Sequence, residues 1–440
     1  MSAGLSPRRH STRQTGPVTE TSWTAPTATG PIHGTVRLPG SKSMTARALV
    51  LAAASVDAST LRRPLSARDT DLMAAALRGL GAQVTVEDEL WTIRPRPPRG
   101  PAHIDVGLAG TIMRFLPPFA ALADGDITFD GDPYARRRPL KPLLDALRSL
   151  GVKVTGDGLP LTVHGTGRVR GGEVTIDASL SSQFVSGLLL AATDFDEGVV
   201  VRHVGPPVPS APHLKMTIQM LRDAGAGVDD SVPNVWRVEP GKLAGRAWNI
   251  EPDLSNAAPF LAAALVTGGE VKVLDWPRST TQPGDQLRIL LGQMGGSWTL
   301  DTDGLTFRGT GNLRGIDADL SQVGELTPVI AALCALADSP SHLRGIGHIR
   351  NHETDRLAAL ARELSKVGAQ VDETEDGLAI TPGKPSGAVF ETYDDHRLAH
   401  AAAVIGLRVE GIELTDVSCT SKTMPEFPQL WTGLLKGQNS

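Results

Sequence analysis

The chain has 440 residues, 40% of them apolar and 21% charged, with a formal net charge of −5. That is an ordinary globular composition with material for two or three domains, and its slight acidity excludes the global basic field that recruits nucleic acid or an anionic membrane. Two cysteines, Cys334 and Cys419, exclude a disulfide framework and suit a reducing cytoplasm, and no apolar run reaches the length of a membrane span.

Residues 1–28 are rich in Ser, Thr, Pro and Arg, with one acidic residue, Glu20. They lack a secretory apolar core and show little helical amphipathicity. A disordered tail is expected there, with a short organelle transit segment as the alternative.

From there the chain repeats itself. The pattern Leu-x-x-x-Gly-x-x-Val occurs at Leu77/Gly81/Val84, Leu147/Gly151/Val154, Leu221/Gly225/Val228 and Leu364/Gly368/Val371, with a fifth copy at Leu291/Gly295/Trp298. The glycines are 70, 74, 70 and 73 residues apart. Each copy reads as a helix stopped by Gly and followed by a strand. An Ala/Leu-rich helix repeats in the same phase, beginning near Ser43, Thr111, Ser182, Ser255, Glu325 and Asp395. Constant phase over six copies predicts six βαβαββ units of mixed helix and sheet, longer than usual solenoid repeats.

The helix starts read PGSKSM, LAGTIMR, LSSQF, DLSNAA, VGELTP and YDDHRLA. N-capping explains most of their Ser, Thr and Asp residues. It does not explain Lys42 or Arg397, because a cation in a first turn opposes the helix dipole. A bound anion resolves the conflict, since free N–H groups already favour one there. Several such ends aimed at one cleft would suit substrates carrying carboxylates and phosphates. Further basic residues lie at Arg136, Arg137 and Arg138, at Arg356 and at Lys422, although any single charge run is more often a solvated face. HETDR lacks the second His of a zinc-protease motif, no phosphate-binding G-x-x-x-x-G-K-[ST] loop is present, and the His and Cys spacing suggests no metal.

Taken together, LPGSKSMTARALVLAA from Leu38, LAGTIMRFL from Leu108, RRRPL from Arg136, SSQFVSGLLLA from Ser181, HETDRL from His352, DDHRLAHA from Asp394 and CTSKTMPEF from Cys419 resemble the EPSP synthase family of enolpyruvyl transferases, over roughly residues 30 to 435. The order and spacing of the runs carry the resemblance. It implies an α/β (α+β) fold of two domains with three βαβαββ units each and an active site between them. The expected domains are 29–39 with 253–440, and an inserted 40–252, crossing near Pro39 and Pro252. It also implies that phosphoenolpyruvate and shikimate-3-phosphate are joined by addition and elimination, without a metal or other cofactor, by a cytoplasmic monomer.

The same resemblance implies residue roles. Lys42, Glu325 and Glu353 would be catalytic, with Glu325 as base near the 5-hydroxyl and Glu353 as the acid that exchanges the C3 proton. Lys42, Ser43, Arg47, Ser181, Ser182, Gln183, Ser210, Glu325 and His352 would hold shikimate-3-phosphate. Lys42, Gly110, Arg138, Gln183, Arg356, Arg397 and Lys422 would surround phosphoenolpyruvate, whose site glyphosate would share. For Arg114 a structural ion pair and a ligand contact are equal alternatives. Several positions depart from the commonest family pattern: Leu108 replaces Asn, Glu325 replaces Asp, His352 stands where Lys is frequent, His213 where Tyr is usual, and Phe115 where Pro or Leu is frequent. A histidine at 352 would add charge only near or below its ordinary pKa of about 6.5. Two other functions compete. One is the sister transferase acting on a UDP-amino sugar, whose reactive Cys is missing from GDPYARRRP here; the other is a catalytically silent phosphometabolite binder.

Overall fold

A computed structural model describes residues 22–437. Its units are small helix-and-sheet sandwiches. In the one spanning residues 172–238, strand Gly172–Ile176 pairs in parallel with Val199–His203. Val199–His203 pairs antiparallel with Val235–Val238, which pairs in turn with Val228–Asp229. Helices Gln183–Ala191 and Pro212–Asp223 make the connections. Five four-stranded sheets share this order, and the sixth unit carries a three-stranded sheet.

The expected glycines punctuate the units. Gly81, Gly151, Gly225, Gly295 and Gly368 all have φ between +87° and +113°. A side chain is disfavoured in that region, so glycine lets each helix end and the chain reverse into a strand.

Two strands are exchanged between distant parts of the chain. His33–Val36 pairs in parallel with Glu270–Leu274, and Ala247–Asn249 pairs in parallel with Ser59–Arg62. The chain therefore crosses twice, and the crossing segments pair at Gly40 and Pro252. Ser41 N–H donates to Glu251 O at 2.8 Å and Asp253 N–H donates to Pro39 O at 2.9 Å. A Cβ on Gly40 would stand 2.2 Å from Arg63 O, so the crossing has no room for a side chain there. Two separate apolar cores result. One gathers residues between Ala46 and Ile250; the other gathers Ala25 to Leu38 and Leu254 to Leu434.

Each core is built around three helices. In the first they are Lys42–Ala54, Gly110–Ala120 and Gln183–Ala191. In the second they are Ala258–Thr267, Thr327–Ala335 and His396–Gly406. Small residues allow close contact: a Cβ on Gly187 would lie 2.0 Å from Arg114 O of the neighbouring helix.

The expected tail is corrected in part. Residues 1–21 lie outside the described residues, but 22–28 are built into the fold. Trp23–Thr24 pairs antiparallel with Glu413–Leu414. The Trp23 ring meets Phe427 edge-on at 6.5 Å, and Ala25 is buried. The aromatic ring outweighs the polar composition around it. Among the described residues no helix is long and apolar enough to cross a membrane, and no group of three His, Cys, Asp or Glu side chains could hold a metal.

Candidate active site

Helix starts from both cores meet at one cleft, which encloses about 850 Å³ including the part open to solvent. From the first core it is lined by Lys42, Ser43, Gly110, Arg114, Arg138, Ser181 and Gln183; from the second by Glu325, His352, Glu353 and Arg397.

Lys42 opens its helix. Ser41 caps the helix by accepting from Met44 N–H, and Lys42 N–H donates to Asp253 Oδ2 at 3.1 Å. Asp253 Oδ1 also accepts from Asn256 N–H at 3.0 Å, so one carboxylate ties the first turn of the Lys42 helix to the turn preceding Ala258–Thr267. Lys42 Nζ lies 3.3 Å from Asp69 Oδ2. Burial works against the ammonium, but Asp69, Glu353 and Glu325 together hold its pKa above the usual lysine value.

Arg356, fully buried, organises the opposite wall. Its guanidinium donates to Asp395 at 2.7 and 3.1 Å, to Glu325 at 3.1 Å and to Glu353 at 2.9 Å. Arg356 Nη1 also donates to His352 Nδ1 at 2.9 Å. Such a fork fixes the two carboxylates relative to one another. Glu353 accepts a second charged bond from the buried Lys422 at 2.6 Å.

These neighbours set the charge states. Burial raises both carboxyl pKa values. Arg356 and Arg397 override it at Glu325, and Lys422, Arg356, Arg138 and Lys42 override it at Glu353, so both sit below the ordinary carboxylate range. His352 is pushed down to about 3, by burial first and then by Arg356. It lies 3.7 Å from Glu325, but as a neutral ring it forms no ion pair. Because Arg356 can only donate, Nδ1 accepts and the proton stays on Nε2. His213 is likewise lowered to about 4, by burial and by Arg47.

The basic run at 136–138 divides. Arg136 pairs with Asp130 on the surface, Arg137 lies over the Tyr134 ring, and Arg138 turns inward to donate to Leu108 O at 2.7 Å. That bond uses a backbone carbonyl, so Leu in place of Asn at 108 leaves it intact. Arg114 donates to Gln183 Oε1 at 2.8 Å and lines the cleft without an ion pair among the described contacts.

Five of the expected residues stand back from the lining. Arg47 is buried beneath it, donating to Thr217 Oγ1, Ser43 O and His213 O, with Phe115 under its guanidinium at 5.0 Å. Ser182 is buried at a helix start. Ser210 has φ +52° and donates its N–H to Ser321 O, joining the two halves. Arg356 and Lys422 lie behind the carboxylates they hold. Conversely, Gln282 and Asn351 line the cleft although no motif pointed to them, and Asp253, which opens the helix start DLSNAA, lines it without having been given a role. Gln282 Nε2 donates to Glu251 Oε2 and Pro252 O, bracing one crossing segment.

The family model for EPSP synthase (3-phosphoshikimate 1-carboxyvinyltransferase) matches residues 26–431. The chain belongs to the EPSP synthase family. A family relative, the 3-phosphoshikimate 1-carboxyvinyltransferase of Kocuria rhizophila, is 54% identical over 428 residues, covering 94% of this chain and 96% of that one. An EPSP synthase structure from Acinetobacter baumannii superposes with a TM-score of 0.78 at 25% identity, covering 95% of this chain and 98% of the other. The enolpyruvyl transferase NikO from Streptomyces tendae shares the fold, with a TM-score of 0.76 at 17% identity over 94% and 98% of the two chains. The two-core, six-unit architecture is thus the enolpyruvyl transferase fold of the family.

Proposed function

We infer that the chain transfers the enolpyruvyl group of phosphoenolpyruvate to the 5-hydroxyl of shikimate-3-phosphate, releasing phosphate. Family membership and 54% identity to the curated transferase support the activity. The hydroxyl gives up its proton and attacks C2 while C3 takes up a proton; the tetrahedral ketal then loses phosphate from C2 and a proton from C3, and the enol ether is restored.

The reading assigns Glu325 as base at the hydroxyl and Glu353 as acid at C3, with Lys42 between the substrates. Its main support is that one buried guanidinium, Arg356, holds both carboxylates on its two Nη atoms. Glu325 is ionised at neutral pH and able to accept a proton. Glu353 is ionised too, so it must gain a proton before it can act as acid. Bound phosphoenolpyruvate brings negative charge beside Lys422, Arg138 and Lys42, the cations that hold Glu353 down, and so raises its pKa. Ser43, Ser181, Gln183 and the Nε2–H of His352 supply donors for shikimate-3-phosphate; Arg138, Arg397 and Gly110 border phosphoenolpyruvate.

The reading also treats 29–39 with 253–440, and 40–252, as domains that close over the substrates, in a monomeric cytoplasmic enzyme. Phosphate release is the test. It should require phosphoenolpyruvate and shikimate-3-phosphate together. Release with a UDP-amino sugar in place of shikimate-3-phosphate would reassign the enzyme to the sister transferase, and binding without release would make the chain a silent member of the fold.

A further inference from the structure

A second cavity lies on the far side of the first core. Its lining includes Ala53 and Ala54 at the end of the Lys42 helix and Val56 just past it, Phe119 and Leu122 at the end of the Gly110 helix, and Asp194 just past the Gln183 helix. The same three helices present Lys42, Gly110 and Gln183 to the catalytic cleft at their opposite ends. A helix of 13 residues separates the two places by about 20 Å. The cavity encloses about 930 Å³ including its open part.

Its chemistry has three parts. The floor is apolar, from Ala53, Ala54, Phe119 and Leu122, and Val56 is 55% exposed at the rim. Arg96 and Lys242 bring positive charge. Among the described residues the Arg96 guanidinium has no hydrogen-bond or ion-pair partner, and Lys242 makes only a long contact to Asp194, at 3.4 Å. Asp194 and the carbonyl ends of the helices bring negative charge. Apolar body, anion and cation are thus all provided for at one place.

The second core treats the corresponding place differently. Ala28 N–H donates to Leu407 O at 3.1 Å, and Ile32 N–H donates to Thr267 Oγ1 at 3.1 Å. Arg408 Nε donates to Val266 O at 3.0 Å. A Cβ on Gly406 would stand 2.4 Å from Ala25 Cβ. There the chain's own residues 25–32 occupy the helix ends, with apolar side chains and donors together.

We propose that the cavity at the far helix ends of the first core binds an α-amino acid with a large apolar side chain and, through the three shared helices, alters substrate binding in the cleft. The carboxylate meets Arg96 and Lys242, the ammonium meets Asp194 and the helix carbonyls, and the side chain covers Ala53, Phe119 and Leu122. The three helices are packed rigid bodies, so a ligand that shifts their far ends shifts Lys42, Gly110 and Gln183 with them.

Calorimetry on the whole chain tests the binding without any reference to catalysis. L-Phenylalanine should bind saturably, and phenethylamine, 3-phenylpropionate and L-serine, each lacking one of the three features, should bind at least about tenfold more weakly, the loss expected for about 1.4 kcal/mol. Arg96→Glu and the rim variant Val56→Trp change exposed positions and should weaken L-phenylalanine by a similar factor. Saturating shikimate-3-phosphate should change the affinity for L-phenylalanine about fivefold or more, and reciprocity requires the converse shift. No saturable binding at about 10 mM, equal binding of phenethylamine, or no effect of Arg96→Glu would overturn the site. Binding that shikimate-3-phosphate leaves unchanged would overturn the coupling.

Discussion

The two cores present corresponding helices to the cleft but not the same chemistry. The first contributes cations, hydroxyls and an amide: Lys42, Ser43, Arg114, Arg138, Ser181 and Gln183. The second contributes the carboxylates Glu325 and Glu353, with the buried Arg356 that holds them, and one cation, Arg397. Repetition of one unit supplies inward-facing helix ends, and divergence of the first turns divides the labour. Anion binding suits the half where backbone N–H groups and cations coincide. Proton transfer suits the half where carboxylates are kept ionised at fixed positions. The far ends differ as well, being covered by residues 25–32 in the second core and open in the first.

Breaking the proton-transfer half should have the largest effect. Glu325→Gln keeps the hydrogen bonds of the side chain but cannot take a proton, so kcat should fall by about 10²–10⁴. Shikimate-3-phosphate binding measured by calorimetry should hardly change. A variant with unchanged kcat would move the base elsewhere. In the binding half, Lys42→Met should lower turnover by about 10²–10³, because it removes the cation that the proposed function places between the substrates. Near-normal turnover would reduce Lys42 to a solvated helix start.

The far ends can be probed by truncation. Removing residues 1–28 deletes Trp23 from the Phe427 ring, Ala25 from Gly406 and a strand from its sheet. The second core should lose about 2 kcal/mol of stability from the apolar surface exposed. Thermal denaturation compared with a chain lacking only residues 1–21 isolates the contribution of 22–28. Identical midpoints would mean that this cover does not stabilise the helix ends.

Much of this was legible before any coordinates, for physical reasons. Five glycines recur because the backbone there needs positive φ, a local demand that local sequence reveals. Lys42 and Arg397 stood out because they oppose a helix dipole. Gln282 and Asn351 were hidden, since loops bring them to the cleft and no periodic pattern marks such positions. Asp253 opens DLSNAA, one of the repeated helix starts, and there its residue type reads only as a cap before an apolar helix. Arg47, which the resemblance assigns to shikimate-3-phosphate, lies just beneath the cleft lining, where its guanidinium donates to Thr217 Oγ1 and to the carbonyls of Ser43 and His213. Trp23 was the missed signal in the tail: a large aromatic among polar residues, with Phe427 to meet it.

Gly110 sharpens the anion-binding half. A Cβ there would lie 2.7 Å from Arg114 Nη1, 3.0 Å from Arg138 Nη2 and 3.1 Å from Gln183 Oε1. All three are far ends of flexible side chains, so Gly110→Ala should fold normally and displace the forks. The added methyl first moves the protein's own Arg114, Arg138 and Gln183 side chains. The family resemblance puts glyphosate in the phosphoenolpyruvate site, where its greater length demands more of the same space. Its inhibition constant should rise about tenfold or more, and the KM for phosphoenolpyruvate by less. Equal factors for both would show that displaced donors, and not space, set the loss.

The smallest expected effect tests His352, the lining histidine beside Glu325. His352 is held at about 3 by burial and Arg356. A phosphate dianion beside it would raise that value by about 1–3 units, which leaves the ring neutral at pH 7. The KM for shikimate-3-phosphate should therefore show no rise through pH 6.5–8 attributable to this group. His352→Lys, which adds a permanent charge, should lower KM without altering the slope. A rise through neutrality that His352→Lys abolishes would make the ring an imidazolium in the complex. Stability carries the opposite signature. The folded chain binds fewer protons at His352 than the unfolded chain, whose histidines titrate near 6.5, so between about pH 3 and 6.5 stability falls as the solution is acidified. His213, held at about 4, adds to the slope over most of that window. Above pH 6.5 neither group contributes a slope. Denaturant midpoints at pH 5.0 and 7.5 should differ more in the wild type than in His352→Gln, which cannot titrate. Equal differences would mean that His352 is already protonated in the folded chain, and that Arg356 donates elsewhere.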